Sequence, residues 1–455
     1  MTGDQTVSER FSQFLATVTL DSLPAEAVDI AVRDLIDAAG LCVAARNTEY
    51  IGKLVASAED GRCTAIGIAR PLDAAGAAFV GGVAIHGEDF DDTLEGAPIR
   101  VGAMVIPAVL AAAERYGLGG ERALLGVVAG LEAVCRLNHV AAGHMHRAGF
   151  HPVGVIGALG AAAGVSVALG LNRDRTAAAF GIAASFSSGI LEYLTDGAWT
   201  KRLHPGWAAQ SGLRAALIAR EGFFAPRTVF EGGHNFFKTF APTATPDYSH
   251  LTEGLGDDWY MTRIVFKPYA CGTMIHPYID CARRLARDGI RAEEIDSILC
   301  DTGEGLVHRL WEPLAAKHRP PSGYAAKFSM PFCMAIGFYD DDAGLAEFDD
   351  SVVTRPELLA LAGKIRYRID PKNDYPRNYT GDLEVRLTSG KVLTYHQPHM
   401  RGGQHEPLTD TEIERKFFSN AEFGDWPRDR AEMLLTFCKN LGNVPDLGGL
   451  SAFRG

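Results

Sequence analysis

The sequence predicts a mainly α fold, with a large all-helical domain built from both chain ends and a smaller α+β domain between them. Three observations predict it. From Ser8 to about Phe240 apolar residues recur every three or four positions, the period of amphipathic helices, and nothing alternates with the period of two that a sheet needs. After about Met261 that texture gives way to short alternating runs. After Asp410 helical spacing returns over a tail too short to bury a core of its own. The boundaries read as 1–262 and 405–455 for the helical domain and 263–404 for the α+β domain. A chain of 455 residues also exceeds the roughly 250–300 residues at which one core stops growing.

The elements follow in order. The opening run MTGDQTVSERFSQFLATV is amphipathic and carries acids; it lacks the basic and apolar regions of a signal peptide. Helices are predicted at Ala27–Gly40, Ala77–Ile85, Ala103–Tyr116, Arg122–Arg136, Val153–Leu169 and Ala208–Glu221. Ala and Gly dominate their faces, which implies close packing. The stretch Val153–Leu171 is about one membrane span long, but its small residues and the flanking Arg147 and Arg173 favour a buried helix. In the second domain Ile295–Asp301 and Ile365–Ile369 read as strands. Asp382–Leu387 and Lys391–His396 read as a hairpin about Ser389-Gly390. His276–Arg287 and Gly323–Asp340 read as helices, as do Thr411–Ser419 and Arg428–Asn440.

Composition narrows the function. The 47% hydrophobic and 22% charged content is that of an ordinary globular chain. A net charge of −12 argues against nucleic-acid and anionic-membrane partners, and an anionic substrate would need a locally basic cleft. Eight cysteines without a CxxC pair suit buried thiols in a reducing cytoplasm.

Four segments could carry chemistry. In His86-Gly-Glu-Asp89-Phe-Asp91-Asp92-Thr93, a helix continued from upstream would align His86, Asp89 and Thr93 on one face. The acids are open to three readings: a solvated helix end, a magnesium site through the DDxxE-like run to Glu95, or a catalytic carboxylate. His144-Met-His146 and His151-Pro152 form a histidine-dense loop. It fits zinc, surface histidines, or a functional His151 at a helix start, where the helix N-terminus favours a bound carboxylate. Lys201-Arg202-Leu-His204 gathers three potential cations before a helix, either an anion site or a basic loop paired with surface acids. Lys267 and His276 flank the change of texture, where clefts tend to form, though a lone histidine at a helix start is often structural. No P-loop, GxSxG or strand-linked GxGxxG is present, so a nucleotide cofactor finds no support.

Taken together, HGEDFDDT (86–93), GFHPVGVIGALGAAAG (149–164), TKRLHPGWAAQSG (200–212), FKPYACGTMIHPYID (266–280) and AAKFSMPF (325–332) resemble the MmgE/PrpD superfamily. That superfamily includes 2-methylcitrate dehydratase, cis-aconitate decarboxylase and iminodisuccinate epimerase. The resemblance implies that the α+β domain is a lid, that the chain is a homodimer, and that the site lies between the domains without metal or organic cofactor. By position it makes Asp89, His151, Lys201 and His276 catalytic and places Thr93 in the active site; Arg100, Arg202, His204 and Lys267 are expected to bind substrate. Two departures stand out. Pro98-Ile99-Arg100-Val101 replaces a stretch in which decarboxylase-like members carry a histidine, although Arg100 remains as an anion binder. DFDDT here replaces the dehydratases' DYNDT and is closer to the decarboxylase and epimerase branch.

The expected activity is abstraction of a proton α to a carboxylate of a small di- or tricarboxylic acid. The developing charge calls for cations, and acid–base assistance contributes roughly 10²–10⁴-fold. A lyase is the first expectation and an epimerase its rival. A carboxylate-binding relic is the non-enzyme alternative, disfavoured by retention of Asp89, His151, Lys201 and His276 together.

Overall fold

Alanine and glycine decide how the helical part packs. In the helix Pro152–Ala168 every residue from Val153 onward is buried, and it lies against Gly120–Val140 and Thr200–Arg220. A Cβ at Gly212 would fall 2.5 Å from the Ala161 Cβ and 2.6 Å from the Ala158 carbonyl, so the two backbones touch only because position 212 lacks a side chain. The computed structural model describes residues 5–97 and 99–455; residues 1–4, the start of the N-terminal run read above, and Pro98 lie outside the described residues.

Two units divide the chain. The first holds residues up to Gly87, Asp91–Ile264 and Asn420–Gly455. Its helices include Val7–Thr17, Ala25–Ala45, Glu49–Ser57, Ala74–His86, Gly102–Tyr116, Arg173–Phe186 and Arg428–Lys439, besides the three above. Val7–Thr17 begins with a capping box, in which Thr6 Oγ1 accepts from the Glu9 amide and Glu9 Oε2 accepts from the Thr6 amide. Gly120–Val140 is, among the described residues, long and apolar enough to cross a membrane, and 94% of its apolar window is buried against its neighbours. The stretch singled out for its apolar length, Val153–Leu171, is likewise a buried helix as far as Ala168.

The second unit holds Glu88–Phe90 and Val265–Ser419. Its four-stranded sheet runs in the order Ile365–Ile369, Ile295–Thr302, Gly381–Leu387, Val392–Gln397. The first pair is parallel, with Ile298 opposite Ile365; the other two are antiparallel, with Cys300 opposite Leu383 and Leu383 opposite Tyr395. The parallel pair requires a long crossover, and Gly323–Ala326, Met330–Asp340 and Pro356–Ala362 supply it. The helix His276–Arg287 packs on Met330–Asp340 and on the sheet.

Several expectations need correction. The helix Ala74–His86 stops at His86, and Asp89 sits in the left-handed region at φ 56°, so His86, Asp89 and Thr93 share no helical face. Close packing requires glycine at the position after the helix: a Cβ at Gly87 would lie 2.2 Å from the Tyr50 hydroxyl. Lys201, Arg202 and His204 are inside the helix Thr200–Arg220, not before it; the helix continues through Pro205, its sixth residue, which in the sequence reads as a boundary. Gly323–Asp340 is two helices, the second capped by Ser329, whose Oγ accepts from the Phe332 amide at 3.2 Å. Short strands at Asp60–Cys63 and Thr93–Leu94 interrupt a span read as purely helical.

Candidate active site

In the first unit, three imidazoles gather where helices begin and end. His86 closes Ala74–His86, His151 is the N-cap of Pro152–Ala168, and His204 lies in the opening turn of Thr200–Arg220. His151 Nδ1 and His204 Nδ1 are 2.9 Å apart, and the His86 and His151 ring centroids 6.0 Å. Tyr193 packs edge-on to both His151 and His204, at 5.8 Å from each. The His151 amide donates to the Gly189 carbonyl at 2.9 Å, which fixes the loop before the helix.

Burial holds two of these rings, His151 and His204, neutral. It is the largest cause of the downward shift at His151, reinforced by His86, His204, Lys201 and Arg100, so this imidazole protonates well below the ordinary histidine range. His204 is pushed down to about 4 by burial, then by His86 and Lys201. An Nδ1-to-Nδ1 hydrogen bond needs one donor and one acceptor, so the two rings must be opposite tautomers.

A carboxylate pair braces the same region. Asp91 takes His86 Nδ1 on one oxygen at 2.8 Å and Arg100 Nε on the other at 3.2 Å, and its side chain is fully buried. Asp92 accepts from the Val101 and Gly102 amides at 2.9 and 3.1 Å, at the start of Gly102–Tyr116, where the helix dipole favours an anion. Burial, then Asp91, raises its carboxyl above the usual range, against Arg100 and the Gly102 amide. Both aspartates of the DDxxE-like run are thus engaged by protein donors. Thr93 Oγ1 donates to the Ile99 carbonyl at 3.3 Å. Arg202 donates from Nε to the Gly87 carbonyl at 2.8 Å and stacks on Tyr50, 4.5 Å from the ring centroid. The histidine loop splits: His144 meets Thr243 Oγ1 at the surface, and of its members His151 joins the imidazoles.

In the second unit Lys267 and His276 are both fully buried. Lys267 Nζ donates to the carbonyls of Asp89 and Cys271 and lies 3.8 Å from Asp89 Oδ1. His276 Nε2 is 3.4 Å from the Cys271 carbonyl, while its buried Nδ1 has no hydrogen-bond partner among the described residues. Burial, then Lys267, carries its pKa well below the ordinary value. A cavity of about 640 Å³ also opens in this unit, but six cationic and six acidic side chains line it, so it offers an anion no net attraction.

Sequence reasoning brought His151, His204, Lys201 and Arg100 into one neighbourhood, since His151 feels the charge of the other three. It named Arg100 as a substrate binder and left out His86, and so missed that both hold the buried Asp91. His86 stands in the quoted motif, but treating the segment as one helical face hid its bond to Asp91. Tyr50 and Tyr193 carry no sequence signal, because their role depends on which helices meet.

One consequence is a pH dependence of stability. His204, and likewise His139 (also lowered to about 4, chiefly by burial), bind a proton more readily unfolded than folded. Stability should be full above about pH 6.5, the ordinary histidine value, and fall as pH drops from there toward 4. Thermal midpoints at pH 7.5 and 5 should therefore differ, with the acid sample lower. His204→Asn should shrink the difference; equal midpoints in the wild type would contradict it.

Two neutral imidazoles, His151 and His204, thus lie within reach of the charge of Lys201, and Arg100 bears on His151 as well. The chain belongs to the MmgE/PrpD family: the model of the MmgE/PrpD N-terminal domain matches residues 9–249, and that of the C-terminal domain matches residues 269–438. It is similar to the cis-aconitate decarboxylase of Homo sapiens, 28% identical over 82% of this chain and 78% of the relative. The cis-aconitate decarboxylase of Aspergillus terreus is 26% identical over 90% of this chain and 88% of its own length. That of Mus musculus is 28% identical over 82% and 77%. The chain is accordingly an enzyme of the lyase kind.

Proposed function

We propose that the chain is a lyase for a small tricarboxylate of the cis-aconitate kind, working without metal or organic cofactor on the carbon next to a carboxylate. The observation that carries this reading is the His151–His204 pair, neutral, with His151 buried and His204 half-buried, and with Lys201 close enough to depress both. With opposite tautomers, one ring offers an Nε2–H and the other a bare Nε2, a donor and an acceptor of protons in one fixed unit. Decarboxylation of such a substrate sends the pair from the C–CO₂ bond through the double bond to the carbon α to a second carboxylate. Carbon dioxide leaves and that carbon takes a proton. Charge grows on the second carboxylate, where Lys201 and Arg100 would stabilise it. The same reading gives Asp89 and His276 proton-handling roles, and gives Thr93, Arg202, His204 and Lys267 roles in holding the substrate.

An epimerase is the second reading, favoured by the stretch Pro98-Ile99-Arg100-Val101 standing where decarboxylase-like members carry a histidine. Here Ile99 is buried and its carbonyl takes the Leu94 amide and Thr93 Oγ1. Product analysis separates the two. Incubated with cis-aconitate, 2-methylcitrate and an iminodicarboxylate, the enzyme should release carbon dioxide from the first. Inversion of the third with no carbon dioxide from the first would replace the lyase reading.

A further inference from the structure

We infer that Lys327 and Lys416, together with Lys267, form a clasp that holds three successive backbone carbonyls and so positions Asp89; the inference rests on the reading of Asp89 as a catalytic residue. Lys327 Nζ donates to the Glu88 carbonyl at 2.8 Å and to Glu88 Oε2 at 2.8 Å. Lys267 Nζ donates to the Asp89 carbonyl. Lys416 Nζ donates to the Phe90 carbonyl at 2.8 Å and lies 3.9 Å from the Phe90 ring centroid. All three lysines are buried, at 2%, 0% and 7% exposure.

Burying one ammonium is costly unless its donors are met, and burying three around three residues calls for a purpose. The backbone between the first and third carbonyl supplies it. Asp89 has φ 56°, a conformation that a residue other than glycine holds only when its surroundings over-determine it. Flanking carbonyls fixed on both sides, and its own carbonyl fixed between them, over-determine it. The carboxylate is then aimed by the backbone and not only by its own rotamer. The lysines come from separate parts of the unit: the segment before the helix His276–Arg287, the end of Gly323–Ala326, and the helix Asp410–Phe423. Lys327 and Lys416 are each followed by phenylalanine, the trace in sequence of lysines set into apolar surroundings. Neither touches the reacting atoms in this account; both are positioning residues.

The test uses the full-length enzyme and four variants, reading kcat, KM and thermal midpoint separately. Asp89→Asn comes first: a wild-type kcat in it would overturn the role of Asp89, and the clasp's purpose with it. If that variant is impaired, Lys416→Met should lower kcat by about tenfold to a hundredfold with KM within about threefold, the signature of a misplaced catalytic group. Lys416→Arg, which keeps a donor for the Phe90 carbonyl, should recover part of kcat. Lys327→Met should act in the same direction and serves if Lys416→Met does not fold. Impaired Asp89→Asn with wild-type kcat in the folded methionine variants would overturn the clasp alone, as would a loss confined to KM.

Discussion

Lys201→Ala is expected to lower kcat by about two orders of magnitude or more, the usual cost of removing one group used mainly in the transition state, while the thermal midpoint stays level or rises. The charge of Lys201 reaches both His151 and His204, and the proposed reaction would develop negative charge beside it. Lys201 is also the second residue of Thr200–Arg220, at the end of a helix where the dipole disfavours a cation. A cation kept among rings whose protonation it opposes, at the wrong end of a helix, lowers stability and must be retained for another reason. Lys201→Arg is not expected to restore the rate, because guanidinium is bulkier, planar and cannot give up its proton. Steady-state kinetics beside calorimetry check both halves. A near wild-type rate in the alanine variant would make Lys201 a scaffold cation.

Arg136→Ala should have the opposite profile, a large loss of stability. Arg136 is fully buried in Gly120–Val140 and all of its nitrogens are used. Nε meets Glu132 Oε1 at 2.5 Å, Nη1 donates to the carbonyls of His250 and Glu253 at 2.8 and 3.1 Å, and Nη2 donates to those of Gly254 and Asp258. Glu132 in turn accepts from the Met261 amide at 2.8 Å. Burial already raises the Glu132 carboxyl above its usual range despite Arg136. Removing the arginine leaves that acid and four carbonyls without their donor, a change that costs about 3–5 kcal/mol. In a unit this large the thermal midpoint should fall by roughly 10 °C. Arg136→Ala melting within two or three degrees of the wild type, by roughly the same conversion, would mean that water fills the place of the guanidinium.

Periodicity made most of the secondary structure legible. The hairpin about Ser389-Gly390 and the strand Ile365–Ile369 stand where alternation puts them, and the glycine- and alanine-rich helices are as buried as their small faces imply. The misreading that bears most on the site has a clear cause. At His86 a regular pattern runs into a segment whose shape is set by long-range partners: Tyr50 against Gly87 and the lysines on the carbonyls of residues 88–90. No window of sequence contains those partners. The same holds for the candidate site. The histidines, lysine and arginines were visible as residue types in suggestive places, whereas their pairings were not. Asp91 with His86 and Arg100 is one example, and the opposed Nδ1 atoms of His151 and His204 are another.

The most direct measurement of the central claim is isotope incorporation. The enzyme is incubated with cis-aconitate and related tricarboxylates in D₂O, and proton NMR follows the carbon next to each carboxylate. The account predicts deuterium at a carbon α to a carboxylate in the product, at a rate that collapses in Lys201→Ala. A product formed by the wild-type enzyme without deuterium at that carbon, or no exchange with any of these acids, would contradict it.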